Sequence, residues 1–282
     1  VQVHWLPQHR IYWTQPTKDP KEHLHDIVKR LAPKAFRRPV TDAEIESFVS
    51  LAKPHHPKDQ PMHKMVRAPL RAMFSSPQFL FHAGQPGPLD DHALASRLSY
   101  FLWKTLPDDE LTSLANENKL TQPKMLAVQV DRMLNDPRSN RFINDFLDGW
   151  LHLSDIDATT PDPTLYPEYD NELRQAMLAE TRLYLRELLA KNLPARSFIK
   201  SDFTFVNRRL AHHYGMANIS GERMRRVALP ADSVRGGLMT QASILKVTAN
   251  GTLTSPVKRG HWVLNSLLGT PPQPPPPTIS AL

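Results

Sequence analysis

Two carboxylates stand where an acid–base pair could form. Glu180 lies in an apolar stripe between Met177 and Tyr184, and Asp202 directly precedes the apolar run 203–206. A carboxylate on an apolar face must find a partner or shift its pKa. Paired carboxylates of this kind are typical of hydrolases that use a general acid and a general base. Ion pairing with neighbouring arginines is the structural alternative, so Glu180 and Asp202 are candidate catalytic residues.

Other residue types that carry chemistry lack the spacing it needs. Of the thirteen histidines, His23 and His25 are two residues apart, which places them on different faces of a helix. No H-E-x-x-H, G-x-S-x-G or S-x-x-K context occurs. Gly236-Gly237 lacks the spacing of a phosphate loop and predicts a tight backbone approach ahead of a helix. We therefore predict no metal site and no serine nucleophile.

The composition excludes several function classes. The 282 residues include no cysteine, which rules out disulfides, a thiolate nucleophile and covalent attachment of haem c within this chain. No stretch approaches the ~20 apolar residues of a membrane span.

The charge balance points to an acidic partner. Lys+Arg number 35 and Asp+Glu 28, a net charge of +7. The basic residues form scattered pairs, such as Arg37-Arg38 and Arg225-Arg226, and match no nucleic-acid motif. An acidic partner domain or an acidic glycan is therefore favoured over nucleic acid.

The elements that must position these residues are mainly helices. Residues 1–15 alternate as a strand does, which predicts a small hairpin or the edge of an upstream β domain. The capping box Thr41 to Glu44 predicts a helix start. Residues 62–75 predict a helix that Pro69 kinks or restarts, and the longest helix is expected over 170–191.

The C-terminal part mixes irregular and helical segments. The basic stretch with Arg223, Arg225 and Arg226 is predicted to be irregular, and the last helix is expected over 256–268, ending at Gly269. The fold class is predicted to be mainly α. It is a multi-helix, bundle-like domain with a short N-terminal β segment and a C-terminal polyproline II tail.

Several phrases in a fixed order resemble one family. They are IVKRLAPKAFRRPVTDAEI (27–45), APLRAMFSSPQFLF (68–81), ALASRLSYFLWKTLPDDEL (93–111), LYPEYD (165–170), ETRLYLRELL (180–189), KSDFTFVNRRLAHHYG (200–215), RGGLMTQASIL (235–245) and TSPVKRGHWVLNSLLGTPPQPPPP (254–277). Over residues 20–282 the chain resembles the large secreted proteins of planctomycetes built from domains of unknown function associated with cytochrome c.

The resemblance implies an architecture rather than a reaction. In such proteins a cytochrome-like segment and a β-sandwich region precede the helical part, and a C-x-x-C-H haem motif follows the proline-rich linker. The chain is thus expected to be the helical middle, with the haem-bearing part beyond Leu282. Haem c is expected in adjoining domains or partner chains, cytochrome c-like domains or subunits are the expected partners, and the location is expected to be periplasmic or extracellular.

The resemblance also selects candidate residues, because two segments lie nearest in sequence to the expected haem. These segments are 235–237 and 254–260. Arg235, Lys258 and Arg259 are candidates for a surface that faces haem or a partner. Met239 and His261 are candidate distal haem ligands.

Three functions stay open. The first is a helical core or docking module that supports electron transfer or oxidation at a haem outside this chain, so that any enzymatic role would be that of an oxidoreductase. The second is binding of acidic polysaccharide through the basic surface with Trp5, Tyr12 and Trp13. The third is hydrolysis by Glu180 and Asp202.

Five segments are predicted along the chain. They are a β segment (1–15), a first helical subdomain (16–88), a second helical subdomain (89–215), a C-terminal loop and helix region (216–269) and a Pro-rich linker (270–282).

Overall fold

Two compact units divide the chain, Val1–Asp131 and Arg132–Leu282. The computed structural model of the protein describes residues 19–52, 62–81 and 87–273. The predicted β segment 1–15, with Trp5, Tyr12 and Trp13, lies outside these residues, as do residues 274–282 of the predicted tail. The five-segment division of the chain stays a prediction.

The first unit is built from helices. They are α1 (Pro20–Phe36), α2 (Asp42–Ser50), α3 (Met62–Ser75), α4 (Pro77–Leu80), α5 (Asp91–Trp103), α6 (Asp109–Asn116) and α7 (Pro123–Asn135), which contains the boundary between the units. Helix α1 packs against α2 and α3. Its stripe of Leu24, Ile27 and Val28 forms an apolar cluster with Ile45 of α2 and Met73 of α3.

Residues close in sequence determine where α2 begins, but they do not determine whether α3 continues past Pro69. The predicted capping box is confirmed: the Thr41 hydroxyl accepts from the Glu44 N–H at 3.3 Å, and the Glu44 carboxylate accepts from the Thr41 N–H at 2.9 Å. Helix α3 continues through Pro69, so a restart there is wrong. Burial of Val66 and Met73 in the cluster favours one continuous helix despite the missing N–H.

The second unit is organised around one long helix. Its elements are a 3₁₀ turn (Pro137–Ser139), α8 (Asn140–Trp150), a 3₁₀ turn (Leu153–Asp157), α9 (Asn171–Ala190), a 3₁₀ turn (Ala195–Phe198), β1 (Phe203–Val206), α10 (Arg208–His213), β2 (Arg225–Ala228), a 3₁₀ turn (Leu238–Thr240), α11 (Ala242–Val247), α12 (Pro256–Trp262) and a π-helical turn (Val263–Leu267). Helix α9 contacts α8, β1, α10 and α11. Its stripe of Leu173, Met177, Thr181, Tyr184 and Leu188 is buried, as predicted.

A two-stranded sheet replaces the predicted irregular stretch. Strand β2 pairs antiparallel with β1, with Phe203 opposite Ala228 and Val206 opposite Arg225. The prediction was wrong because Arg-Arg-Val-Ala has no alternating apolar face of its own. The strand is held by its partner instead: the Arg226 guanidinium lies 4.2 Å from the centroid of the Phe203 ring.

The predicted fold class is confirmed as mainly α over the described ranges. The last helix is shorter than expected, since α12 ends at Trp262 and the chain continues as a π-helical turn before Gly269 takes a positive φ of 64°. Within the described parts, no helix is both long and apolar enough to cross a membrane.

Candidate functional site

Two glycines bring the chain before α11 close to the backbone around β1. A Cβ at Gly236 would lie 2.4 Å from the Ser201 carbonyl oxygen, and one at Gly237 2.4 Å from that of Ile199. Both glycines have positive φ, 138° and 80°, which other residues adopt at a cost. The predicted tight approach is confirmed. It fixes the position of Arg235, which directly precedes Gly236.

A buried carboxyl lies behind this segment. Glu180 of α9 is 1 % exposed. Its Oε1 accepts from the Thr204 hydroxyl and its Oε2 from the Tyr214 hydroxyl, each at 2.5 Å. Burial raises the pKa of Glu180 to about 7, although both hydrogen bonds and the charge of Arg235 act in the opposite direction. The carboxyl is therefore poised to titrate near neutral pH.

Tyr214 links this carboxyl to a cation. Its hydroxyl, which donates to Glu180, also accepts from the Ala242 N–H at 2.7 Å. Burial, followed by the Glu180 charge, raises the pKa of Tyr214 well above its usual value, so the phenol is a fixed donor. The Arg235 guanidinium lies 3.6 Å from the centroid of the Tyr214 ring, and its Nη1 donates to the Thr240 carbonyl at 3.0 Å.

A cavity of about 260 Å³ opens beside Tyr214 and Arg235. Its walls are aromatic and apolar with several charged groups. The lining residues are Pro161, Tyr166, Glu168, Tyr169, Leu173, Met177, His213, Tyr214, Arg235, Ala242, Leu245, Lys246, Ala249, Gly251, Leu253, Thr254 and Arg259. All belong to the second unit.

The charges around the cavity are mainly positive. Among the residues that the structure describes, Arg235, Lys246 and Arg259 form no ion pair, whereas the Glu168 carboxylate lies 3.9 Å from His213 Nδ1. Burial lowers the pKa of His213, which favours its neutral form. The cavity therefore combines three unpaired cations with one carboxylate in its lining.

The three cations are held in different ways. The Lys246 ammonium donates to the Ile156 carbonyl and to the carbonyl and hydroxyl of Thr159, at 2.6–3.1 Å. Burial lowers the pKa of Lys246. Arg259 is held through Nε, which donates to the Thr248 hydroxyl at 3.3 Å. Lys246 thus supplies charge, while the arginines keep further N–H groups for a ligand.

The candidate residues from the sequence divide into three groups. Arg235 and Arg259, 24 positions apart, line the same cavity. Lys258 and His261 are exposed on α12, and Met239 packs against the core of the second unit. These placements do not test a role as haem ligand or haem-facing residue.

The two candidate catalytic carboxylates lie in different surroundings. Glu180 is buried behind Tyr214, whereas Asp202 is exposed ahead of β1, and neither lines the cavity. A hydrolase role for Glu180 and Asp202 stays a prediction.

Several cavity residues were missed from the sequence. Tyr169, Tyr214 and Lys246 sit in ordinary helical or loop contexts, and only the fold brings them together. The available signal was the short LYPEYD and AHHYG phrases, which place tyrosines next to Glu168 and His213. Over the described ranges, no three His, Cys, Asp or Glu side chains form a group suited to a metal ion.

Helix α12 contributes Arg259 to the cavity lining, and hydrogen bonds from two tryptophans anchor the helix and the turn that follows it. Trp262 Nε1 donates to the Leu151 carbonyl at 3.2 Å, and Trp150 Nε1 donates to the Ser266 carbonyl at 2.6 Å. The solvent face of the helix carries Val257, 82 % exposed, and His261 one turn later. The helix is thus fixed on one side and presents an apolar residue on the other.

Three family models match the chain. PSD5, described as a protein of unknown function (DUF1595), matches residues 23–83, and PSD4, a protein of unknown function (DUF1592), matches residues 89–216. PSCyt3, a protein of unknown function (DUF1588), matches residues 235–282. These families are known as planctomycete cytochrome-c-associated domains, and each matches a separate part of the chain. The resemblance expected from the motifs is confirmed.

No curated protein and no solved structure matches the chain. The residues that line the cavity come from two of the matched regions. The PSD4 region supplies Glu168, Tyr169 and Tyr214, and the PSCyt3 region supplies Arg235 and Arg259. Residues from the regions that match PSD4 and PSCyt3 therefore form the cavity together, within one compact unit.

Proposed function

We propose that the chain is the helical docking module of a periplasmic or extracellular haem-c-associated protein. It binds a cytochrome c-like domain or subunit and supports electron transfer or oxidation at a haem that lies outside this chain. The cysteine-free sequence is compatible with this role, because a docking module needs no covalent haem of its own.

The exposed face of α12 is the observation that carries the proposal. Val257 is 82 % exposed, Leu264 in the π-helical turn that follows is 37 % exposed, and His261 between them is exposed as well. Large apolar side chains this exposed on an anchored element are typical of interaction sites. They belong to the region matched by PSCyt3, whose name associates it with cytochromes. We define the docking face as Val257, His261 and Leu264.

The proposal predicts that a charge at Val257 weakens cytochrome binding. The haem-bearing segment of the full-length protein, produced with its haem, is titrated against the whole chain by calorimetry. Val257→Asp is expected to weaken binding at least about tenfold, or ~1.4 kcal/mol, because a buried carboxylate at the interface must be desolvated. The haem reduction potential is expected to shift when the wild-type chain is added, and to shift less when Val257→Asp is added at the same concentration.

Val128→Asp is the matched control. Val128 is 59 % exposed on α7, so the substitution adds the same charge on a helix surface outside the docking face. It is expected to leave the affinity within about twofold. Wild-type affinity in Val257→Asp, or equal loss in both variants, would contradict the proposed docking face.

Binding of acidic polysaccharide is a second candidate, and it is favoured by Arg235 and Arg259 in the cavity lining, which suit the carboxylate of one terminal sugar of the chain. Its test is retention of the chain on an immobilised uronic acid polymer. Retention should fall as salt rises, because exposed charge pairs are screened. Retention that is unaffected by Arg259→Gln would count against this candidate.

A further inference from the structure

We propose that the cavity in the second unit is a binding site for a small organic anion, namely one carboxylate attached to a ring-sized, mainly apolar body. This ligand site is separate from the docking face on α12, and it uses residues from both the PSD4 and PSCyt3 regions.

The size of the cavity limits the ligand. Its volume of about 260 Å³ is many times the ~10–15 Å³ that one water molecule requires, and lies just below the ~300 Å³ at the lower end of small-molecule sites. A single six-membered ring with a few substituents is of this order, whereas a chain of several rings would extend outside.

The apolar walls determine the body of the ligand. Leu173, Met177, Ala242 and Leu245 contribute aliphatic surface, and the Tyr169 side chain contributes an aromatic one. Such walls favour a flat face that can be removed from water, either an aromatic ring or the apolar face of a sugar.

The two arginines determine the charged group. The only hydrogen bond described for the Arg235 side chain uses Nη1, and the one described for Arg259 uses Nε. Both keep planar N–H groups suited to the two oxygens of a carboxylate. Their other contacts, the Tyr214 ring and the Thr248 hydroxyl, limit how far they can move, so less entropy is lost when the ligand binds.

The remaining charges favour a monoanion. Lys246 adds positive charge, but its three N–H groups are already used by Ile156 and Thr159. Glu168 in the lining and Glu180 behind Tyr214 oppose a second negative charge on the ligand. A carboxylate on an apolar body therefore fits the site better than a phosphate dianion, which has no apolar surface to pack against the walls.

Binding of four probes to the whole chain tests the proposal by calorimetry at pH 7. The probes are benzoate, glucuronate, benzyl alcohol and inorganic phosphate. Saturable binding of benzoate or glucuronate, with at least about tenfold weaker binding of both other probes, supports the site. Preference for benzoate identifies an aromatic acid as the natural ligand class, and preference for glucuronate identifies a sugar acid.

Two neighbouring variants locate the site. Arg259→Gln removes a cation from the cavity, and Lys258→Gln removes one from the exposed side of the same helix. The former is expected to weaken carboxylate binding about tenfold or more, because a charge-assisted hydrogen bond is lost. The latter is expected to change it less than about twofold.

A third variant covers the case in which Arg259→Gln fails to fold. Ala249→Phe fills the cavity without changing charge and is expected to abolish binding. The proposal is overturned if neither carboxylate binds below about 10 mM, if benzyl alcohol or phosphate binds as tightly, or if Ala249→Phe leaves binding unchanged. Val257→Asp is expected to keep carboxylate binding, which separates this test from that of the docking face.

Discussion

At the residue scale, Glu180 combines burial with a titration near neutral pH. Its folded pKa of about 7 stands above the ordinary value of 4.5. The native state therefore binds more protons than the unfolded state between these two values. Stability that is present at low pH is lost as the pH rises through this window.

We expect this single carboxyl to produce a measurable pH dependence. The shift corresponds to about 3 kcal/mol of unfolding free energy, at ~1.4 kcal/mol per pH unit, lost between about pH 4.5 and pH 7. Glu180→Gln should remove this slope while lowering stability at pH 5, since the amide cannot accept from both Thr204 and Tyr214. Urea unfolding of both proteins across this range is the measurement.

Comparison of the wild type with Glu180→Gln separates the pH dependence due to Glu180 from that due to neighbouring groups. The pKa of His213, which is lowered by burial, gives a slope of opposite sign that is present in both. The pKa of Tyr214 is raised well above its usual value, so the phenol stays neutral throughout this range. Parallel curves for wild type and Glu180→Gln would show that Glu180 stays ionised down to pH 5.

At the element scale, the glycine pair sets the path of the chain into α11. Gly237 has two separate constraints, a φ of 80° and an approach within 2.4 Å between its virtual Cβ and the Ile199 oxygen. Gly215 has a similar φ of 69° but no atom within 4 Å of its virtual Cβ. A substitution at Gly215 therefore tests backbone strain alone, whereas one at Gly237 tests backbone strain and steric overlap together.

Alanine at these two glycines should have unequal effects. Gly215→Ala is expected to cost about 1–2 kcal/mol, the ordinary penalty for a left-handed alanine. Gly237→Ala is expected to cost at least about twice as much, because backbone must also move. Chemical denaturation gives both values, and similar losses would mean that the Ile199 backbone relaxes at little cost.

Helix α9 illustrates how far elements follow from sequence. Its observed span, Asn171–Ala190 with Asp170 as N-cap, lies within the predicted 170–191, because cap and stripe are local signals. Strand β2 was missed because its residues carry no such local signal. Its conformation depends on pairing with β1, more than twenty residues earlier.

At the scale of the whole molecule, each unit has its own apolar cluster. One contains Ile27 of α1, and the other contains Tyr184 of α9. The cavity and the docking face both belong to the second unit. Substitutions in the first cluster should therefore leave ligand binding intact.

Ile27→Ala tests this separation. Ile27 is fully buried, so its truncation should cost about 2–5 kcal/mol. Hydrogen exchange should increase in α1, α2 and α3 while α9 keeps its protection. Equal loss of protection in α9 would show that the two clusters unfold as one cooperative structure.

The sequence by itself determined the helical class, the main caps, the absence of covalent haem and the resemblance to cytochrome-c-associated domain families. These depend on composition, on periodicity along one element and on ordered motifs, all of which are local. The sequence also selected Arg235 and Arg259 as candidate surface residues in two separate segments, but it did not show that the two lie close together.

Only the tertiary structure decided what these residues form. The close approach at Gly236 and Gly237 brings Arg235 over Tyr214, and the anchoring of α12 brings Arg259 to the same cavity. The same packing buries Glu180 and leaves Asp202 exposed. Contacts between residues far apart in sequence depend on how whole elements pack, and no spacing within one element encodes them.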